Sequence, residues 1–298
     1  MRKIWFAGVL ILAVATTGCY YTPCIQGYGS VVEETRDVYD FTEVTNNASF
    51  EVRVSNADTF MVVVEAQDNL MQFIETHVSG STLVVETQNG ICLNPGAPVI
   101  VRVSMPQLES VENTGSGRLF ADRGENHTFD CQNTGSGLVR VDSVFAENIF
   151  LENTGSGKLE MEAAFASEAD MLLTGSGTLD AGNLFSAEEV NIKHTGSGRL
   201  YATMLEGYDV DVEVTGSGRV ELAGDVEEAG FRQDGSGKID ALELVAIHVK
   251  ATITGSGKIY TYAVETLDVI ISGSGNVLYL GDPVITERNT GTGNVRPY

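Results

Sequence analysis

Basic side chains recur at one position of a repeated tetrapeptide. Thr-Gly-Ser-Gly, or a close copy of it, occurs ten times between Thr114 and Gly293 at spacings of 18 to 21 residues. In six copies the residue after the second glycine is a cation: Arg118, Lys158, Arg199, Arg219, Lys238 and Lys258. The last four belong to consecutive copies, so stacked repeats would give an unbroken basic column. Strands lie about 4.8 Å apart, and cations at that spacing suit the sulfate or carboxylate groups of an extended glycan.

Acidic side chains offer a different interpretation of this column. Glu160, Glu221 and Asp240 lie two residues after a cation on the same strand face, where they would neutralise it. Exposed ion pairs of this kind contribute little stability and are typical of a solvated surface. The four-cation column is therefore a candidate glycan site, and a neutral solvated face is the alternative.

Carboxylates also act in pairs in polysaccharide lyases and glycosidases. In such enzymes, loops inserted between the coils form the sides of the substrate groove. The short spacing between tetrapeptide copies after Thr114 leaves no room for these loops. The sequence has no Ser/His/Asp order, HExxH, P-loop or dinucleotide fingerprint, and no zinc, haem or calcium-repeat spacing. We therefore predict a non-enzymatic protein without a catalytic residue, cofactor or metal. A polysaccharide-active lyase or glycosidase is the alternative.

Polar residues directly before the tetrapeptide form a second pattern. Asn113, Asn133 and Asn153 share this position in three consecutive copies. Buried amides need hydrogen-bond partners, and a ladder of stacked asparagines provides them. We predict such a ladder, with a ligand site as the alternative. His194 continues the position, and we interpret it as a structural histidine with its hydrogen bonds satisfied.

The cysteines divide into an anchor, a buried thiol and a candidate pair. Cys19 ends a stretch that opens with Arg2 and Lys3 and continues through an apolar run over 4–15, too short to span a bilayer as a mature helix. The small residues before Cys19 resemble a bacterial lipobox, which implies that Cys19 becomes the lipidated first residue. Ordinary signal cleavage is the alternative. Residue 20 is Tyr rather than Asp, which favours the outer membrane and leaves periplasmic or surface exposure open.

The other three cysteines lie in a compartment that permits disulfides. Cys131 occupies a position that is apolar in other repeats, so it should be a buried free thiol. Cys24 and Cys92 are the remaining pair, and their separation in sequence leaves open whether they meet.

The charge of the chain restricts its partners. Without Arg2 and Lys3 the mature chain has 16 basic and 41 acidic residues, a net charge of −25. Nucleic acid and anionic lipid headgroups would be repelled. A glycan or a surface protein is the expected partner, in addition to the lipid anchor, and the oligomeric state stays open.

The periodicity predicts how the chain is organised. We expect a signal peptide at 1–19, a tether at 20–35, a β-rich capping and early-coil region at 36–110, and repeats over 111–298. Aliphatic residues two positions after each second glycine, and alternating apolar pairs before each turn, indicate strands with one buried face. A third side is indicated by Phe145, Phe165 and Phe185. The prediction is an all-β, right-handed, single-stranded parallel β-helix with about 20 residues per coil and an N-terminal β cap.

Segments outside the turns add a family resemblance. They are RDVYDFTEV at 36–44, DNL at 68–70, VRVSMPQL at 101–108 before the turns, and GDPV at 281–284. Together with the repeated GSG turns, they resemble the auto-transporter adhesin, head GIN domain family over residues 36–296. The resemblance implies a β-helical surface domain of exported proteins widespread in Bacteroidetes, without an assigned biochemical role. It carries over no catalytic residue. We therefore predict a non-enzymatic cell-surface lipoprotein with an adhesin-like or structural role, which binds a glycan or a protein through the flat faces of the β-helix.

The anchor prediction is tested by Cys19→Ala. Without the thiol no lipid can be attached, so the protein should move from the membrane pellet to the soluble fraction. The measurement is an immunoblot of both fractions after a salt wash, with Cys131→Ala as the control. A Cys19→Ala variant that stays with the membranes would disprove the lipobox interpretation.

Overall fold

A computed structural model describes residues 23–298, apart from the side chains of residues 183–187 and 204–206. The chain is 72% strand and 1% helix, arranged as a β-solenoid of about nine turns with roughly 20 residues per coil. This confirms the predicted all-β solenoid. Among the described residues, no helix has the length and apolarity that a membrane span requires.

The N-terminal part combines nine strands with one short helix. They are β1 (Ile25–Gln26), β2 (Val31–Arg36), β3 (Glu43–Asn46), β4 (Glu51–Asn56), β5 (Met61–Gln67), α1 (Asp68–Met71), β6 (Ile74–Ser79), β7 (Thr82–Thr87), β8 (Leu93–Asn94) and β9 (Ile100–Met105). α1 is a single helical turn between β5 and β6.

The strands of the repeat region are longest in its middle and short at both ends. They are β10 (Ser110–Asn113), β11 (Arg118–Glu125), β12 (Thr128–Asn133), β13 (Leu138–Phe145), β14 (Asn148–Gly155), β15 (Lys158–Gly175), β16 (Thr178–Gly196), β17 (Arg199–Gly216), β18 (Arg219–Gly235), β19 (Lys238–Gly255), β20 (Lys258–Gly273), β21 (Asn276–Leu280), β22 (Val284–Asn289) and β23 (Asn294–Pro297). Several of the longest strands cover almost a whole coil each.

Successive coils pair in parallel, with equivalent positions of the repeat in register. Leu159 lies opposite Leu179, which lies opposite Leu200, and the turn threonines Thr174 and Thr195 are paired in the same way. The predicted aliphatic column is fully buried from Leu119 to Val277. Because strand side chains alternate, the residue before each of these aliphatics points outward, which is the position of the cations.

The glycines of the corner allow adjacent turns to approach closely. A Cβ on Gly137 would lie 2.2 Å from the carbonyl oxygen of Gly117 and 2.5 Å from the side-chain nitrogen of Asn113. Both distances are too short for any side chain, so the residue must be glycine. The same crowding is found at the other corner glycines, which explains why the tetrapeptide repeats.

The asparagine ladder is confirmed and begins one coil earlier than predicted. Asn46 donates to the Oδ1 atom of Asn113 at 3.0 Å, Asn113 to Asn133 at 3.0 Å, and Asn133 to Asn153 at 3.1 Å. All four side chains are fully buried. The last, Asn153, donates to the carbonyl oxygens of Gly157 and Thr178. The amides therefore satisfy one another and the corner, which favours the ladder over a ligand site.

Antiparallel strands close the N-terminal end of the solenoid. β3 and β4 pair in parallel with β10 and β11 on one side, and with β7 and β9 on the other. Beyond them β5 runs antiparallel to β9 and β2, and β6 runs antiparallel to β7. A parallel stack would expose its edge here, and the antiparallel strands cover it.

The segment expected to be a tether is partly structured. β2 pairs along the edge of β5, and β1 pairs with β8. A disulfide joins Cys24 to Cys92, and among the described cysteines Cys131 is free and buried. The sequence of 20–35 lacks a period, but its Val and Thr residues suit an edge strand, and the disulfide fixes the start of the segment to the cap.

The phenylalanine column lies on the outside of the coil. Phe145 and Phe165 stack with ring centroids 4.8 Å apart and an interplanar angle of 9°, and both are exposed. Strand alternation directs their neighbours Val144 and Ala164 into the core instead. The Phe185 side chain falls outside the described residues.

Candidate functional site

The predicted basic column is formed by residues in direct register. Arg199 lies opposite Arg219, Arg219 opposite Lys238, and Lys238 opposite Lys258. Each cation begins a strand just after the corner and precedes a buried aliphatic residue, which directs it to the surface. Arg118 and Lys158 occupy the same position in earlier coils, separated from the four by Leu138 and Thr178.

The middle of the column is neutralised. The Nε atom of Arg219 lies 2.7 Å from Glu221, and its Nη2 atom lies 3.2 Å from Asp240. Asp240 also lies 2.7 Å from the Nζ atom of Lys238. One carboxylate therefore bridges two neighbouring cations, and any anionic ligand must compete with it.

The ends of the column have a different environment. Arg199 and Lys258 are exposed, and within residues 23–298 neither makes an ion pair. Lys158 is paired with Glu160, and Arg118 lies 3.8 Å from Glu51. Net positive charge is thus available at the two ends of the four-cation run rather than at its centre.

His194 is a buried histidine without the expected partners. Its side chain is 1% exposed, and neither ring nitrogen has a hydrogen-bond partner among the described residues. Its neighbours in the column are Leu173 and Val214, which offer no polar side chain, and the ring fills the space beside Gly218. The prediction of a satisfied histidine is therefore wrong. Burial lowers the pKa of the imidazole below its ordinary value, so the neutral form is favoured.

A groove of about 680 Å³ lies on the strand face that precedes the corner. Asp170, Asn191, Asp211, Gly230 and Lys250 follow one another along one side of it. Gly230 interrupts this row of polar side chains, and the Oδ1 atom of Asp211 occupies the space where a side chain at position 230 would begin. Sequence reasoning missed the groove, although a glycine inside a strand was the available signal.

The second row of this groove mixes cations and carboxylates. Lys193, Glu213, Arg232 and Thr252 are in register, and Arg232 is held by Asp234 at 2.9 Å. Nearby, burial raises the pKa of Asp209, and the charges of Asp211, Glu228 and Glu189 raise it further. In the part of the chain that the structure describes, no group of three or more His, Cys, Asp or Glu side chains is arranged to hold a metal ion.

The buried imidazole predicts a pH dependence of stability. The unfolded chain takes up a proton at His194 near pH 6.5, whereas the folded chain resists protonation. Above that pH the imidazole is neutral in both states and does not affect the pH dependence. Below it the unfolded chain binds a proton that the folded chain does not, so the free energy of unfolding decreases as the pH falls. His194→Leu should remove this pH dependence. Lowering the pH from about 7.5 to about 5.5 should therefore destabilise the variant less than the wild type, with a difference of up to about 1 kcal/mol in the free energy of unfolding.

The measurement is urea unfolding at both pH values, with exposed His77→Leu as the control. Wild type and His194→Leu with the same pH dependence would contradict a buried neutral imidazole.

Solved structures of other proteins share this architecture. One from Parabacteroides distasonis, described as a putative lipid binding protein, is 23% identical with a TM-score of 0.51. Putative adhesins from Parabacteroides distasonis and Parabacteroides merdae are 18% and 17% identical, with TM-scores of 0.52 and 0.51. Each likeness covers 93% of this chain and 100% of the other. At these identities the likeness shows the fold alone.

No curated protein matches this sequence. The sequence does match a family model. The model described as "Putative auto-transporter adhesin, head GIN domain" matches residues 40–206 and 185–283, which together include most of the cap and most of the repeats. The chain therefore belongs to the auto-transporter adhesin, head GIN domain family.

Proposed function

We propose that this chain is a non-enzymatic, adhesin-like protein of the cell surface that binds an anionic glycan along its basic column. The observation that carries the proposal is the direct register of Arg199, Arg219, Lys238 and Lys258 on four consecutive coils. A rigid stack holds these cations at the strand spacing of about 4.8 Å, close to the length of one sugar unit. An extended acidic chain could meet one cation per sugar.

The expected affinity is modest and dependent on salt. Each exposed contact should contribute on the order of 0.5 to 1 kcal/mol, so binding requires several contacts at once. The carboxylates of Glu221 and Asp240 lower the contribution of Arg219 and Lys238. The mature chain, with 16 basic and 41 acidic residues and thus a net charge of −25, also repels polyanions at long range, and salt screens both effects.

The proposed location is the outer membrane, with a lipid on Cys19 as the anchor. Cys19 lies outside the described residues, so this part of the proposal depends on the signal sequence. Membership of an adhesin family supports an exported or surface role. The disulfide between Cys24 and Cys92 supports an oxidising compartment.

Replacing all four cations with serine should abolish glycan binding. Because all four side chains lie on the outer face of the coil, the melting temperature should stay nearly unchanged. Binding is measured on a glycan array and then by calorimetry at low salt. The matched control is Lys193→Ser, Arg232→Ser and Lys250→Ser on the groove face. Equal binding by the wild type and the four-serine variant would refute the column as the glycan site.

A polysaccharide-active enzyme is the competing function. The same glycans are incubated with catalytic amounts of protein and assayed for reducing sugar and unsaturated uronate. Product release by the wild type would reverse the proposal. An Asp211→Asn variant would then show whether the carboxylates of the groove take part.

A further inference from the structure

The acidic partners of the basic column end at Asp240. Two residues after the position of the column, the chain carries Glu221 and Asp240 in the middle coils. In the last three coils, where Lys258, Asn276 and Asn294 occupy the column, it carries Tyr260, Leu278 and Arg296 instead. Lys258 and Arg296 therefore share this face without a neighbouring acid in their own columns. Neither makes an ion pair among the described residues, in contrast to Arg219 and Lys238.

These last coils also form a groove. It measures about 540 Å³ and is lined by Lys258, Tyr260, Asn276, Asn294 and Arg296, which we name the distal cluster, together with Leu278 and Val295. The volume falls within the range of small-ligand sites. The strand spacing separates Lys258 from Arg296 by two coils, on the order of 10 Å, which is the span of about two sugar units.

Two asparagines provide hydrogen-bonding groups between the cations. Asn276 and Asn294 are in register, and the Nδ2 atom of Asn294 donates to the Oδ1 atom of Asn276 at 3.3 Å. This bond orients both amides and leaves the Nδ2 group of Asn276 as a donor and the Oδ1 atom of Asn294 as an acceptor. A pair of this kind can bind adjacent sugar hydroxyls, because a hydroxyl both donates and accepts.

An ordered tyrosine borders the groove. The Nζ atom of Lys238 lies 4.1 Å from the ring centroid of Tyr260, and the ring of Tyr298 meets Tyr260 edge-on at 5.9 Å. Tyr260 is thus held in place while part of it remains accessible. An aromatic ring and Leu278 suit the apolar face of a sugar, whereas the cations suit its carboxylate.

We propose that the distal cluster binds a carboxylated oligosaccharide, with the guanidinium of Arg296 and the ammonium of Lys258 on its carboxylates and the two asparagines on its hydroxyls. This inference depends on the proposed glycan-binding function and moves its main contacts to the C-terminal end of the column. The strongly acidic protein disfavours densely sulfated polymers, so sugars with one carboxylate each are the better match.

The position of the cluster suits a surface protein. Within residues 23–298, β22 and β23 pair only with β20 and β21, so the cluster lies at the end of the solenoid opposite the antiparallel cap. Cys24, five residues after Cys19 in the sequence, is joined to the cap by its disulfide with Cys92. An anchor at Cys19 would therefore place the distal cluster at the end far from the membrane.

The test uses the full mature protein and tetragalacturonate as the probe in calorimetry at low salt. Arg296→Gln and Asn294→Ala should each weaken binding about three- to fivefold, because an exposed charge-assisted or amide contact is lost. Lys193→Gln, an exposed cation on the groove face outside the column, is the matched control and should change binding less than about twofold. Arg199→Gln, at the other end of the column, then separates the distal cluster from the column as a whole. Melting temperatures check that each variant is folded.

Two further probes identify the ligand class. The methyl ester of tetragalacturonate should not bind, because it lacks the carboxylates. Equal binding of an Asp- and Glu-rich peptide would overturn the assignment to a saccharide. If tetragalacturonate binds but depends on Arg199 and not on Arg296, the distal cluster is wrong and the proposed column stands. If neither this probe nor any glycan of the array binds the wild type, both proposals fail.

Discussion

The structure depends on how closely the corners of adjacent coils approach. At each corner a backbone carbonyl of one coil lies against a glycine of the next, at distances that exclude any side chain. This contact fixes the height and rotation of every coil relative to its neighbour, because a slip by one residue would bring a side chain into that space. The direct register of the whole solenoid follows, and with it the columns of aliphatic, asparagine and basic residues.

The buried polar column reflects the same constraint. Its side chains lie beside the second glycine of the next coil, so only groups that fit there can be accommodated. Four asparagines satisfy one another from Asn46 to Asn153, after which the column becomes mixed and includes Leu173, His194 and Gln233. The Oε1 atom of Gln233 and both nitrogens of His194 lack partners in the described chain. Unpartnered buried polar atoms are costly, so the central coils should be less stable than the N-terminal ones.

Much of this architecture could be predicted from the sequence, because a repeat shows which residues occupy equivalent positions in successive coils. It does not show which side chains are in contact. Ten copies of one tetrapeptide determined the coil length, the buried aliphatic column and three of the four ladder asparagines. Asn46 escaped notice because its turn, Asn47-Ala48-Ser49, has no glycine. The outward direction of Phe145 required knowing where the strand bends. The pairing of Cys24 with Cys92 depended on the path of a segment without a period.

The candidate sites likewise include one that could be predicted from the sequence and others that could not. The stack of Arg199, Arg219, Lys238 and Lys258 was predictable, since one position of a repeat becomes one column. The distal cluster was not predictable, because its residues come from two positions of the repeat on three coils. Its positive charge depends on the absence of acidic residues after Asp240 in the neighbouring column. The groove beside Gly230 likewise involves a single coil at which glycine interrupts a polar row, which a period does not predict.

The most direct test of this account is the free energy of unfolding of Gly137→Ala. The backbone of Gly137 lies outside the left-handed region, so alanine tests the close approach alone and not conformational strain. We predict a loss of about 2 kcal/mol, because a Cβ would displace the carbonyl of Gly117 and the amide of Asn113. Ser136→Ala, on the exposed side of the same turn, should leave stability within about 0.5 kcal/mol. A Gly137→Ala protein as stable as the wild type would contradict the claim that corner packing sets the register.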